Sequence, residues 1–134
     1  RPDPYQRIKP VAANIDRILL VIAPLPSPSP WLIDRYIVAC ENSEIPVLIV
    51  LNKSDLMQGE DAELLRARLA EYAALGYDHI EICAMGDLSP LRPEISGRTV
   101  ALVGQSGVGK SSLVNALLPE AAQRVNIISD NSGL

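Results

Sequence analysis

A short glycine-rich segment carries the clearest chemical signal in the chain. Residues 104–111 match the pattern G-x-x-x-x-G-K-[ST] at every position. Glycines let successive backbone N–H groups turn toward one point, and the N-terminus of a following helix adds positive charge there. In such a loop Lys110 neutralises charge on the β- and γ-phosphates of a nucleotide, and the Ser111 hydroxyl ligates Mg²⁺. The candidate phosphate-binding residues are Gly104, Gln105, Ser106, Gly107, Val108, Gly109, Lys110, Ser111 and Ser112, with Lys110 also the candidate catalytic residue.

A second candidate site is the sequence Asn-Lys-Ser-Asp at residues 52–55, directly after an apolar run. The Asp55 carboxylate can accept two parallel hydrogen bonds from guanine N1–H and its 2-amino group, whereas adenine offers neither donor. Because a buried carboxylate left unpaired is costly, this predicts GTP over ATP. Asn52 would contact the base edge and tie its loop to the phosphate loop, and the Lys53 stem would cover the base face. The alternative for residues 52–55, with Ser54 included, is a turn followed by a helix cap.

A third and weaker signal lies at Cys83-Ala84. Guanine-binding proteins usually carry Ser-Ala or a similar pair after the corresponding strand, where a backbone N–H, here that of Ala84, meets guanine O6. Cys83 departs from that pattern, although a backbone contact survives the change. Without the other two motifs, this pair would be interpreted as an ordinary strand end.

The elements that must position these motifs alternate between strands and helices. Continuous apolar runs predict strands buried on both faces of a parallel sheet, and apolar residues spaced by three and four predict helices. Strands are expected at residues 18–23, 47–51, 79–83 and 99–103, and helices at residues 31–42, 64–75 and 110–118. Loops are expected at residues 86–97, with one helical turn as an open alternative, and at residues 119–134. This order predicts an α/β fold, a three-layer doubly wound parallel sheet of the P-loop NTPase kind. Cys40 is expected in the core, and Trp31 is expected to pack against the sheet edge or a neighbouring domain.

Composition narrows the classes of protein further. The 134 residues are 48% hydrophobic and 21% charged, which is ordinary for one globular domain. No apolar run approaches the roughly 18 to 20 residues of a membrane span, and the opening Arg-Pro-Asp-Pro is not a signal peptide. Cys40 and Cys83 lack C-x-x-C spacing, so no zinc site is predicted within this chain. We therefore expect a cytoplasmic protein with no membrane partner.

The net charge of −4 bears on nucleic-acid partners. A domain that binds nucleic acid by itself usually has a basic footprint, which this composition lacks. If RNA is a partner, another part of the protein must supply much of the contact.

The order of the motifs is unusual, because the guanine motif at residues 52–55 precedes the phosphate loop at residue 104. Such an order indicates circular permutation, which is tolerated because domain termini often lie close together at the surface. With this order, the chain resembles the ribosome small-subunit-dependent GTPase A family (RsgA, also called YjeQ). The segments that carry the resemblance are residues 9–16, 33–36, 52–56, 104–112 and 129–134.

The resemblance implies a function in late maturation of the small ribosomal subunit, with GTP hydrolysis to GDP stimulated by that subunit and its rRNA as a partner. It also implies an OB-fold domain before this region and a zinc-binding C-terminal domain after it, so zinc is expected only outside this chain. The family's switch threonines and Asp-x-Pro-Gly motif are missing from the sequence. We therefore expect residues 1–14 to be a linker and residues 15–134 to be a partial, circularly permuted GTPase domain, monomeric and with an incomplete sheet.

Two expectations follow from that incomplete sheet and from the motifs. The strand at residues 99–103 would form an exposed apolar edge, which predicts poor solubility of the chain alone. For function, Mg²⁺-dependent GTP hydrolysis is the first hypothesis, and a GTP-switched ribosome-binding or rRNA-binding module with incidental turnover is the second. An ATP-binding P-loop protein is a third and weaker interpretation.

Overall fold

Strands and helices alternate along a computed structural model of the chain, which describes residues 15–24, 30–84, 86–105, 107–121 and 126–129. The strands are β1 (Arg17–Ile22), β2 (Val47–Leu51), β3 (His79–Glu81), β4 (Thr99–Gly104) and β5 (Asn126–Ser129). The helices are α1 (Pro30–Ser43), α2 (Gly59–Ala74), α3 (Arg92–Ile95) and α4 (Lys110–Ala121), and a single 3₁₀ turn spans Ser54–Leu56.

All described strands belong to one parallel sheet in the order β3-β2-β1-β4-β5. In its register Val21 lies opposite Gly104, and Ile22 lies opposite Leu51. The carboxyl ends of β1, β2 and β4 therefore reach the same edge of the sheet. Since the guanine motif follows β2 and the phosphate loop follows β4, both motifs start at that edge, where open α/β sheets bind ligands.

Helices cover both faces of the sheet, so the predicted three-layer architecture is confirmed. Alternate residues of β1 enter opposite cores, because successive side chains of a strand point to opposite faces. Ile18, Leu20 and Ile22 pack with α1 and α2, whereas Leu19 and Val21 pack with α3 and α4. The five residues are at most 4% exposed, as expected for a strand in the middle of a doubly wound sheet.

The carboxyl-terminal part of the chain departs from the expectation. Residues 119–134 were expected to be loop, but α4 continues to Ala121 and β5 pairs in parallel with β4. The expectation that residues 99–103 form an exposed edge is therefore wrong, and β4 gives no reason to expect poor solubility. The reason is that β4 presents a row of backbone N–H and C=O groups, and the β-branched pair in Asn-Ile-Ile-Ser favours the extended backbone that can satisfy them.

Two side chains of α1 show how the helix is placed. Cys40 is buried at 4% exposure, as predicted, and burial raises the pKa of its thiol to about 12. Trp31 is 77% exposed, so the prediction that it packs against the sheet edge is wrong. Packing against a neighbouring domain stays a prediction.

Within the described residues, no helix is both long enough and apolar enough to cross a membrane.

The turn after α1 places a non-glycine residue in the left-handed region, with φ of 61° at Glu44. Glycine adopts this conformation without the clash between Cβ and the carbonyl oxygen, and it is the usual residue just after a helix end. We expect Glu44→Gly to raise the free energy of unfolding by about 0.5 to 1 kcal/mol. Urea unfolding of the chain measures this change.

The matched control is Glu44→Ala, which removes the same carboxylate but keeps the Cβ. It should give no comparable gain. Equal effects of the two substitutions would show that the carboxylate, and not the backbone, determines the change.

Candidate functional site

Two polar side chains are buried where the loops after β2 and β4 meet. Asn52 is 2% exposed and Lys110 is 5% exposed, and these are the buried polar or charged residues within the described chain. Each belongs to one of the two main sequence motifs. A buried amide or ammonium group is costly unless it is hydrogen-bonded, so their partners indicate how the site is held together.

Asn52 joins three loops through its side-chain amide. Its Nδ2 donates to the carbonyl oxygen of Val108 at 3.0 Å, in the phosphate loop. Its Oδ1 accepts a hydrogen bond from the Ala84 N–H at 2.9 Å, in the segment after β3. Its own backbone N–H donates to Ile22 at the end of β1. The predicted tie between the guanine loop and the phosphate loop is therefore a direct hydrogen bond.

Gly109 is required by the close approach of Asn52. A Cβ at this position would lie 2.3 Å from Asn52 Nδ2, and φ is 91°. Any side chain here would both strain the backbone and displace the amide that links the loops. The last glycine of the phosphate motif thus serves the contact between loops as well as the curvature of its own loop.

A second contact runs beside the first, because Lys53 Nζ donates to the Gly107 carbonyl at 2.9 Å. Two successive carbonyls of the phosphate loop therefore point toward the guanine loop. In a planar trans peptide the N–H lies opposite to the C=O, so the N–H groups of Val108 and Gly109 point away from Asn52 and Lys53. This orientation leaves those donors available to an anion on the other side of the loop.

The start of the phosphate loop is fixed against β1. A Cβ on Gly104 would lie 2.4 Å from the carbonyl oxygen of Val21, so only glycine fits this approach. At the other end of the loop, Lys110 curls back and its Nζ donates to the Gly104 carbonyl at 2.7 Å. The ammonium group is thereby held over the loop that it follows.

Helix α4 begins at Lys110, with Ser111 and Ser112 exposed in its first turn and no acidic residue there. The N–H groups of a first turn have no acceptor within the helix, and together with the helix dipole they favour an anion at the same place as the loop amides. Gln105 is half-buried and Gly107 is exposed at the outer side of the loop. Ser106 lies outside the described residues.

Asp55 lies in the 3₁₀ turn Ser54–Leu56 with its side chain exposed. Lys53 enters the turn in the left-handed conformation, with φ of 59° and ψ of 40°. The Ser54 N–H donates to the Ile82 carbonyl at 3.0 Å, which fixes the turn beside the segment that carries Cys83 and Ala84. The Asp55 carboxylate makes no hydrogen bond with the described residues, so it can accept donors from a base.

The Ala84 N–H has a different partner from the one predicted for it. It donates to Asn52 Oδ1, whereas the sequence interpretation assigned it to guanine O6. Contact with a base would require this hydrogen bond to be shared or exchanged, and so the guanine contact stays a prediction. Cys83 is half-buried next to it with a free thiol. Neither the Asn52–Ala84 contact nor the Lys53–Gly107 contact could be found from sequence spacing.

The other notable titratable groups lie outside this site. Tyr72, on α2, has its pKa raised to about 12 by burial and by its hydrogen bond to Asp34 on α1. His79 and Arg66 both contact Glu81 on the edge strand β3, and we assign these contacts a structural role. Within the part of the chain that the structure describes, no cluster of His, Cys, Asp or Glu side chains could hold a metal ion.

Comparison with known proteins matches the chain to one family. Residues 1–134 match the RsgA GTPase family. The chain is 49% identical over 136 aligned residues to the small ribosomal subunit biogenesis GTPase RsgA of Alcanivorax borkumensis, and 51% identical over 135 residues to that of Pseudomonas fluorescens. It is covered almost completely in both comparisons but spans only 39% of each relative's length.

Solved structures agree with this result. YjeQ from Thermotoga maritima superposes with a TM-score of 0.72 at 33% identity, over 79% of this chain and 39% of that protein. YloQ, described as a circularly permuted GTPase, superposes with a TM-score of 0.70 at 35% identity, over 86% of this chain and 41% of that protein. The resemblance inferred from the order of the motifs is confirmed, as is the circularly permuted P-loop fold: the chain belongs to the RsgA GTPase family.

Proposed function

We propose that this chain is the nucleotide-binding part of a GTPase that hydrolyses GTP to GDP and phosphate in the maturation of the small ribosomal subunit. The observation that carries the proposal is the Asn52 amide, which links the predicted guanine loop to the phosphate loop by one hydrogen bond of 3.0 Å. One nucleotide can then lie across both loops, with its phosphates on residues 104–112 and its base at residues 52–55. The names of the relatives support the ribosomal part of the proposal.

The chemistry proposed for the phosphate loop is electrostatic stabilisation. Phosphoryl transfer spreads negative charge over the oxygens of the γ-phosphate, and fixed donors aimed at that charge lower the barrier. Lys110 would exchange its hydrogen bond to the Gly104 carbonyl for the β- and γ-phosphates. The N–H groups of Val108 and Gly109 and the first turn of α4 would add donors that need no rearrangement.

Magnesium fits the oxygen donors at this place. Mg²⁺ in nucleotide sites takes one or two protein oxygens and completes its shell with phosphate oxygens and water. The hydroxyl group of Ser111, exposed in the first turn of α4 and next to Lys110, would be the protein ligand. When bound, the ion would withdraw charge from the phosphate oxygens.

Guanine specificity is assigned to Asp55, and the stem of Lys53 would lie against the face of the base. The other residues proposed around the base are Asn52, Ser54, Cys83 and Ala84. The exposed carboxylate of Asp55 offers two acceptors, and the fixed 3₁₀ turn keeps them at the end of β2. An acceptor pair at this position would not contribute to ATP binding, because adenine lacks the matching donors.

The second candidate function is a module whose affinity for the ribosome or its rRNA is switched by GTP, with incidental turnover. The GTPase rate of the intact protein, measured with and without small ribosomal subunits, separates the two, because a binding module would show no stimulation. For both candidate functions, we expect the protein to be monomeric and cytoplasmic. Zinc is assigned to a carboxyl-terminal domain outside this chain.

We expect Asp55→Asn to reduce GTP affinity by about 100-fold or more, because the substitution replaces an acceptor with a donor opposite the guanine 2-amino group. Affinity for xanthosine triphosphate should rise, since xanthine has an oxygen at that position. Titration calorimetry with GTP, ATP and xanthosine triphosphate measures both changes.

The control is Asp61→Asn, which makes the same chemical change in the first turn of α2. It should leave all three affinities unaltered. An Asp55→Asn variant with unchanged nucleotide preference would contradict our account of specificity.

We expect Gly109→Ala to lower the affinities for GTP, GDP and ATP alike by about tenfold or more. A residue with a Cβ in the left-handed backbone conformation alone costs about 1 to 2 kcal/mol. The methyl group would also displace Asn52 from the phosphate loop. Gly97→Ala is the control, because Gly97 has a similar left-handed φ of 72° but a Cβ there meets no atom within 4 Å. A normal affinity in Gly109→Ala would show that the tie between the loops is dispensable.

We expect GTP to protect Cys83 from alkylation by iodoacetamide. The thiol is half-buried beside the proposed base site, whereas Cys40 is buried, and its raised pKa of about 12 keeps it protonated and unreactive in the folded chain. Labelling rates, followed by mass spectrometry, should fall with GTP or GDP and stay constant with pyrophosphate, which lacks the base. Equal protection by pyrophosphate would place the base away from Cys83.

A further inference from the structure

A groove of about 340 Å³ opens at the end of the sheet opposite to the phosphate loop. It lies where α1 ends, where β2 begins and where the chain turns from α2 into β3, and its lining includes Glu41, Glu44, Ile45, Val47 and Tyr77. The five residues of β2 separate it from Asn52, roughly 16 Å at 3.3 Å per residue. The groove is therefore distinct from the proposed nucleotide site.

The rim of this groove is negatively charged. Glu41 and Glu44 line it and are exposed, and no lysine or arginine is among its lining residues. Helices α1 and α2 both end beside it, and neither has a basic residue in its last turn. Because a helix C-terminus carries a partial negative charge that Lys or Arg usually offsets, two helix ends add to the field of the two carboxylates.

The floor of the groove is apolar and its polar groups are oriented. Ile45 and Val47 are partly buried and pack against the core beneath α1 and α2. The Tyr77 hydroxyl donates to the Glu41 carboxylate, and this hydrogen bond raises the pKa of Tyr77, so that the phenol remains a donor at neutral pH. Glu41 is thus held at the rim by a hydrogen bond from a neutral neighbour.

We propose that this groove docks a lysine or arginine side chain from a basic segment of a partner protein. The aliphatic stem of such a side chain would lie on Ile45 and Val47, and its charged head would reach Glu41 and Glu44 at the rim. An RNA partner fits poorly, because its phosphates would face two carboxylates and two helix C-termini. This site goes beyond the proposed GTPase function and does not require a bound nucleotide.

The test uses the uniformly ¹⁵N-labelled 134-residue chain and an acetylated, amidated Gly-Arg-Arg-Gly peptide at low ionic strength. We expect saturable amide shifts confined to residues 41–47 and 76–78, with or without GTP. A Gly-Glu-Glu-Gly peptide and a short single-stranded RNA should leave those amides unmoved. Shifts at another surface, no saturable shift, or shifts here with RNA would overturn the proposal.

Charge-matched variants separate the groove from a general attraction. The double variant Glu41→Gln with Glu44→Gln should lower the affinity for the arginine peptide by about tenfold, as expected for the loss of charge-assisted hydrogen bonds. Glu60→Gln with Glu63→Gln removes the same charge from the beginning of α2 and should change the affinity little. Equal losses in the two variants would show that only net charge matters. Unchanged spectra elsewhere confirm that both variants are folded.

Discussion

The placement of a single buried amide sets the geometry of the proposed nucleotide site. Asn52 donates to Val108 at 3.0 Å and accepts from Ala84 at 2.9 Å, so one side chain fixes three loops that lie far apart in sequence. Because a buried amide that loses a partner costs free energy, the three loops are held together as a unit. The glycine at position 109 belongs to the same arrangement, since a Cβ there would occupy the position of Asn52 Nδ2. The last glycine of the phosphate motif and the asparagine after β2 thus both serve the same contact between the loops.

This contact depends on the parallel sheet. Parallel pairing brings the carboxyl ends of β1, β2 and β4 to one edge, whatever the order in which the strands follow each other along the chain. The circular permutation therefore moves the guanine motif ahead of the phosphate loop without moving either in space. The connection between β3 and β4 crosses two intervening strands on one face of the sheet with only the single turn of α3. Leu91 and Ile95 of this segment are nevertheless fully buried, so the crossing completes the second core.

The two ends of the sheet differ in charge, and the cause is the direction of the helices. Helix α4 directs its N-terminus toward the phosphate loop, whereas α1 and α2 end at the opposite edge beside Glu41 and Glu44. Parallel βαβ units always place helix C-termini at the amino ends of the following strands, so one edge favours anions and the other favours cations. In this chain the second edge lacks basic residues in the last turns of α1 and α2, which leaves its field uncompensated.

The fold class, the first four strands, the main helices and both nucleotide motifs could be predicted from the residues alone, because apolar runs and the spacing of Gly, Lys, Asn and Asp are local signals. Residues 126–129 were missed as a strand, since their partner is β4 and a four-residue segment has no periodicity of its own. The tie between Asn52 and the phosphate loop was predicted, but its acceptor atom and the contact of Lys53 were not, because the Val108 and Gly107 carbonyls are more than fifty residues away. Residue types thus determined which groups can bind a phosphate and a base. Only the packed sheet decided which of those groups meet, because hydrogen bonds between distant loops exist only after the strands have aligned.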